Sequence, residues 1–127
     1  MLNLLGIDFE EWYHPELVKP HVREDAKKPQ VIKGIDKIVD WLRRNETFAT
    51  FFVVGEILES NPEILDKITE NGHEIAFHTM HHDRLDVLTK DNFVAELKRF
   101  SELTNKKSKG FRAPTFSFNY NTKWAID

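Results

Sequence analysis

The stretch that most restricts how this 127-residue chain can fold is "FATFFVVG", residues 48–55. It is rich in β-branched and aromatic residues and apolar on both of its faces, so a strand built from it needs cover on two sides. A parallel sheet lying between helices gives that cover. The surrounding sequence has the matching elements. "LNLLGID", residues 2–8, is an apolar run closed by an acid and reads as a buried strand leading into a polar loop. Residues 10–29 hold three prolines and many charges and read as an irregular surface excursion. Val31, Ile35, Ile38, Val39 and Leu42 recur at helical spacing, with Trp41 widening the stripe, which predicts an amphipathic helix over 31–44.

After the 48–55 strand, Asn61 reads as an N-cap with Pro62 in the first turn, Ile64, Leu65 and Ile68 on one face, and Gly72 as the stop. "HEIAFH", 73–78, is a third strand, and Thr89 caps a helix carrying Phe93, Leu97, Phe100 and Leu103. "KGFRAP", 109–114, reads as a fourth strand, and "NYNTKWAID" as the start of another helix. Such alternation of strand and helix is the pattern of βαβ units in a single α/β domain spanning 1–127.

Composition excludes several function classes. Lys and Arg total 18 against 21 Asp and Glu, interspersed, so no basic stripe awaits a nucleic acid. With no cysteine, disulfides, thiolate nucleophiles and Cys-type zinc sites are all absent, and any metal must be held by His and carboxylate. Neither a leader-like segment nor a run of about 18 apolar residues is visible, so the expected location is cytoplasmic, with no membrane span.

In parallel α/β folds, ligands collect at the carboxyl ends of the strands. Three polar clusters fall there: Asp8, Glu10 and Glu11; "HTMHHD", 78–83; and "FRAPTFS", 111–117. His78 and His82 are four apart, and in a helical turn that spacing puts both imidazoles on one face, able to grip one ion. A carboxylate from the first loop completes a two-His, one-acid site with positions open for water and substrate. Hydrolysis of a stable amide or ester asks for such a site plus a second, unligated carboxylate to take the water proton. "HEIAFH" is not the metalloprotease motif, because His78 follows His73 by five residues rather than four.

These residues, in this order, resemble the polysaccharide deacetylase family, the NodB-homology or family 4 carbohydrate esterases. The resemblance runs from about residue 3 to the end and is densest in "ATFFVVGEILESNPEILDKITENGHEIAFHTMHH". "DFEEWYH" and "FRAPTFSFNYNTKWAID" are most similar to the subgroup associated with exopolysaccharide clusters, whose first motif is Asp-x-Glu-Asp/Glu-aromatic. The resemblance implies a distorted TIM-like (β/α)7 barrel, of which this chain would be the N-terminal part with about four βα units. It also implies that His78 and His82 are metal ligands, Thr79 braces their loop, Asp8 is the catalytic base, and Arg112 orients and charge-pairs that base. Pro114 and the following loop would form a wall of the sugar groove. The metal-binding acid that follows the base in most members is replaced by Phe9. If residues 8–10 stay extended, Asp8 and Glu10 project to the same side and Phe9 to the other, which makes Glu10 the third ligand and Glu11 an outsider.

The implied reaction is removal of N-acetyl groups from an N-acetylated oligo- or polysaccharide by a divalent ion, zinc by default, although cobalt, nickel and iron also fit the donor set. Trp12, Tyr13 and Phe116 offer apolar faces for sugar rings. His73 is expected to be structural, and His14, His21 and His81 to face away from the site. The later family motifs are missing, so a truncated barrel is expected, one that binds metal, deacetylates poorly and associates with itself to cover an open edge. Two other readings fit the sequence: a barrel that hydrolyses C–N bonds in cyclic amides or ureides, and a sugar-binding fragment without catalysis.

Overall fold

The computed structural model describes residues 4–126. Its centre is a parallel sheet of three short strands, β1 (Gly6–Phe9), β2 (Thr50–Val53) and β3 (Glu74–Phe77), in that spatial order. Helix α1 (Val31–Arg44) connects β1 to β2. Helices α2 (Gly55–Ser60) and α3 (Glu63–Thr69) connect β2 to β3, and α4 (Lys90–Leu103) follows β3. No helix among the described residues is long and apolar enough to cross a membrane.

Strand alternation sorts the residues onto two faces. Ile7, Phe51 and Ile75 stand in one row and Phe9, Val53 and Phe77 in the next, all on the face covered by helices. Buried Ile35, Val39 and Leu42 of α1 and Ile64, Leu65 and Ile68 of α3 complete that core. The opposite face carries Asp8, Phe52 and Ala76 in one row.

Helix α1 has the bounds its periodicity predicts, although Trp41 is exposed rather than part of the apolar stripe. Thr89 caps α4 as expected, its hydroxyl accepting from the Asn92 N–H at 3.2 Å. Elsewhere the structure corrects the reading. The apolar run of β2 continues into a separate short helix, α2, and Asn61 is not the N-cap of α3. That position is Pro62, and the Asn61 side chain turns back to donate to the Ile57 carbonyl at 3.2 Å. Gly72 does hold a left-handed conformation, φ 80°, three residues past the end of α3.

The predicted fourth strand is reduced to one bridge, Phe77 with Phe111, so the sheet has three strands instead of four. Three backbone bonds still lay residues 109–112 along β3, from the N–H groups of Lys109, Phe77 and Arg112 to the carbonyls of Ile75, Gly110 and Phe77. Pro114, which has no N–H to donate, begins a 3₁₀ turn and ends the pairing. The terminal helix is a 3₁₀ segment, Tyr120–Ile126.

Candidate active site

Beyond β1 the chain keeps its alternation. Phe9 is 1% exposed in the helix-covered core, while Asp8 and Glu10 both line a cavity of about 600 Å³ at the carboxyl ends of the strands. His78, His82 and Arg112 line the same cavity, with Leu17, Phe116 and Phe118 at its apolar side. Five of the predicted site residues therefore come together: Asp8, Glu10, His78, His82 and Arg112.

The histidine loop does not use the helical turn that its i, i+4 spacing suggested. Residues 78–82 form an irregular loop after β3, in which Thr79 and His82 take left-handed conformations with φ near 60° and 57°. Such φ values are unfavourable for a β-branched residue such as Thr79 and need support from the surroundings. The N–H groups of Gly55 and Glu56 supply it, donating to the carbonyls of Thr79 and Met80 at 3.0 Å each, and the Met80 N–H donates to Glu96 Oε2 at 3.0 Å. Gly55 is required for this approach: a Cβ there would run into the Met80 side chain and lie 3.3 Å from its Cα.

One orientation follows from a hydrogen bond. His78 Nδ1–H donates to the Arg112 carbonyl at 2.8 Å, which leaves Nε2 with its lone pair free. Burial, the largest influence on His78, holds its pKa below the usual imidazole value and keeps the ring neutral. Glu10 Oε2 is buried and makes no hydrogen bond, yet stands 2.9 Å from His82 Nε2. Burial alone would raise the Glu10 carboxyl, but the neighbouring His82, with His78 and His14 behind it, brings it below the ordinary value.

Ligand atoms of Glu10, His78 and His82 all lie within 4.8 Å of one another. Two imidazoles and a carboxylate aimed at one point, one of them an otherwise unsatisfied buried oxygen, fit a divalent transition ion. Beside them the Arg112 guanidinium pairs with Asp8 and lies over the Phe52 ring, 3.8 Å from its centroid. Asp8 and Arg112 are each 40% exposed at the side chain, open to the cavity.

The other expected site residues separate. Thr79 is fully buried within the histidine loop, and Pro114 is buried at the start of its 3₁₀ turn. Phe116 is 99% exposed at the cavity mouth. Trp12 does not line the cavity; its indole N–H donates to the Lys28 carbonyl at 3.1 Å, inside the 10–29 excursion. His73 packs against Phe48 and Phe51, as a structural residue does.

Sequence reasoning missed two residues around the site. Glu11, 3% exposed, accepts from the N–H groups of Gln30 at 2.8 Å and Val31 at 3.2 Å, and so caps α1, whose own N-cap residue makes no side-chain bond. His14 does not face away: it is buried with its ring 6.2 Å from His82 and nearly parallel to it. Its Nδ1 accepts from the Glu11 N–H at 3.1 Å, so the ring proton is on Nε2 and is donated to Glu56 Oε1 at 2.7 Å. Hydrogen bonding from His14 first, and from His81, holds the Glu56 carboxyl down to about 2 against the opposing effect of burial. No periodicity links positions 14 and 56, and only the packing of α2 against the histidine loop reveals the pair.

Known proteins resemble this chain in sequence and in fold. A peptidoglycan-N-acetylglucosamine deacetylase of Bacillus cereus is 32% identical over 96 residues, which cover 72% of this chain and 35% of that protein. Chitin deacetylase 1 of Cryptococcus neoformans var. grubii is 42% identical over 60 residues, 47% of this chain and 13% of that protein. The crystal structure of a peptidoglycan N-acetylglucosamine deacetylase superposes with a TM-score of 0.70 at 26% identity, covering 96% of this chain and half of that one. The chain thus spans half or less of the length of these proteins, and its fold is a partial TIM-like barrel of their kind. The family model described as polysaccharide deacetylase matches residues 28–127, from just before α1 onward, so Asp8 and Glu10 lie outside the match and are tied to the site by geometry. With that match over most of its length, the chain belongs to the polysaccharide deacetylase family.

Proposed function

We propose that this chain carries the metal-binding and proton-accepting side of a metal-dependent N-deacetylase acting on an N-acetylated oligo- or polysaccharide. The observation that carries the reading is the convergence of Glu10, His78 and His82 within 4.8 Å, with the Asp8–Arg112 pair lining the same cavity. Glu10, His78 and His82 would hold the ion, zinc by default, with cobalt, nickel and iron suited to the same donors. When bound, such an ion supplies Lewis acidity toward an acetamide carbonyl and toward water.

The remaining work belongs to the protein. Asp8 accepts the proton of the attacking water as the water oxygen bonds to the carbonyl carbon; the C–N bond then breaks, giving acetate and an amine that takes up a proton. Arg112 pairs with Asp8 and holds it in place beside the cavity, and its flat guanidinium is itself fixed over Phe52. The Arg112 carbonyl orients His78 through its Nδ1–H, so one residue serves both the base and a ligand. Phe116, Phe118 and Leu17 present apolar surface at the mouth, suited to the faces of sugar rings. The link to an exopolysaccharide rests on the resemblance of Asp-Phe-Glu-Glu-Trp, residues 8–12, to the first motif of the exopolysaccharide-cluster subgroup.

Two measurements on the full chain test this. Zinc titration should give one site per chain, lost in His78→Ala. Acetate release from chitooligosaccharides should require added zinc or cobalt and fall in Asp8→Asn. Binding of zinc that His78→Ala leaves unchanged, or release that Asp8→Asn leaves unchanged, would overturn the assignment.

A further inference from the structure

Glu56, at the start of α2, does not line the cavity, yet both of its carboxylate oxygens are engaged. Oε1 accepts from His14 Nε2–H at 2.7 Å and Oε2 from His81 Nδ1–H at 2.8 Å. Its backbone N–H is the one that donates to the Met80 carbonyl. His14 belongs to the loop that presents Glu10, and Met80 and His81 to the loop that presents His82. One residue on a third element thus ties the two loops to each other.

The sheet alone does not do this. β1 and β3 are separated by β2, so their carboxyl ends stand two strand spacings apart, about 9.5 Å, with no ladder bond between them. Glu10 and His82 nevertheless meet at 2.9 Å. On the β1 side the tie reaches the main chain next to Glu10, because His14 Nδ1 accepts the Glu11 N–H. On the β3 side it includes the main chain of Met80 and the side chain of His81, the two residues preceding His82. A second tie, from Lys19 Nζ to Asp83 Oδ1 at 2.7 Å and the His81 carbonyl at 3.1 Å, lacks a buried partner such as His14.

We propose that Glu56 is a positioning residue for the Glu10, His78 and His82 set, a brace that holds the loop after β1 in register with the loop after β3. The proposal rests on the reading of those three residues as metal ligands, and the test separates the two. In the full chain, zinc affinity is measured by competition with a chelator for the parent, Glu56→Ala, Glu56→Gln and His81→Ala. Exchange of the Glu11 and His14 amides is followed in the metal-free protein.

Glu56→Ala should weaken zinc by about tenfold or more, the usual effect of losing a group that orients ligands. It should also speed exchange at Glu11 and His14 while leaving core amides such as Phe51 unchanged, which a general loss of stability would not do. Glu56→Gln should restore most of both, because its amide oxygen accepts from His14 and its amide N–H donates to the His81 ring. His81→Ala should show a smaller loss, since that ring is half exposed. Parent-like zinc affinity and loop exchange in Glu56→Ala, or a loss in Glu56→Gln as large as in Glu56→Ala, overturns the brace. A parent chain that binds no zinc overturns the metal reading instead, and loop exchange alone then decides for or against the brace.

Discussion

On one face of the sheet, Phe9, Phe51, Val53, Ile75 and Phe77 lie fully buried under the helices; on the other, Asp8 and Phe52 meet Arg112, and Asp8 and Arg112 line an open cavity. The same strands supply both sets, one residue apart. The first face spends apolar area on stability, at roughly 25 cal/mol per Å² removed from water, and has no titratable group among these rows. The second keeps charges where water reaches them. The alternation persists past β1, where Phe9 enters the core, Glu10 the cavity and Glu11 the start of α1. A single-residue shift in register would exchange the two sets, so the pleat itself separates stability from chemistry here.

The comparison breaks most visibly if one face can be damaged without the other. Phe51→Ala removes a fully buried ring from the covered face and should cost about 3–5 kcal/mol, read as a lower denaturant midpoint at unchanged slope. Asp8→Asn on the open face should leave that midpoint within about 0.5 kcal/mol of the parent, since exposed pairs contribute little, while acetate release falls roughly 10²–10⁴-fold. If Asp8→Asn unfolded the protein, or Phe51→Ala left stability intact, the division of labour between the faces would be wrong.

Glu11 sharpens the comparison at the point where the strand ends. Glu11→Ala should destabilise by about 1 kcal/mol through loss of the α1 cap, with zinc affinity changed far less than in Glu10→Ala. Thermal melts with and without zinc distinguish the two neighbours: Glu10→Ala should abolish the zinc-induced rise in melting temperature and Glu11→Ala should retain it.

How far this arrangement could be read beforehand depended on whether the relevant signal was local. The bounds of α1 and the Thr89 cap rest on periodicity and cap chemistry within a few residues, and both are present in the sequence. So does the facing pair Asp8 and Glu10, which needs only an extended backbone and a buried Phe9. The break between α2 and α3 was not legible, because Ile57 and Leu58 prolong the apolar run of β2 and Asn61-Pro62 imitates a helix start. The left-handed turns at Thr79 and His82 carry no glycine to announce them; bonds from Gly55 and Glu56, more than twenty residues away, help hold that loop. His14 was misplaced for a related reason: its partner, Glu56, is distant in sequence and comes near only through tertiary packing.

Acid titration gives the smallest expected effects and sets His73, on the covered face, against Glu56, which braces the loops beyond the open one. His73, packed between Phe48 and Phe51, has its pKa lowered from 6.5 by burial, so the unfolded chain takes up the proton first. Its contribution to stability is full above 6.5 and declines as pH falls below that value. Glu56 has the opposite linkage in a different window. Its folded value near 2 lies below the ordinary 4.5, so the stabilisation it gives is complete above 4.5 and is lost as pH falls toward 2. Metal-free melts from pH 8 to 2 should therefore show one decline beginning near 6.5 and another below 4.5. His73→Phe should flatten the first, with His78, also lowered by burial, supplying what remains. Glu56→Gln should shrink the second while leaving the first in place, with Glu10, also held below 4.5, supplying part of what remains. A single decline that neither substitution moves would mean that these groups titrate alike in the folded and unfolded chain, and that neither the burial of His73 nor the bonds to Glu56 set them apart.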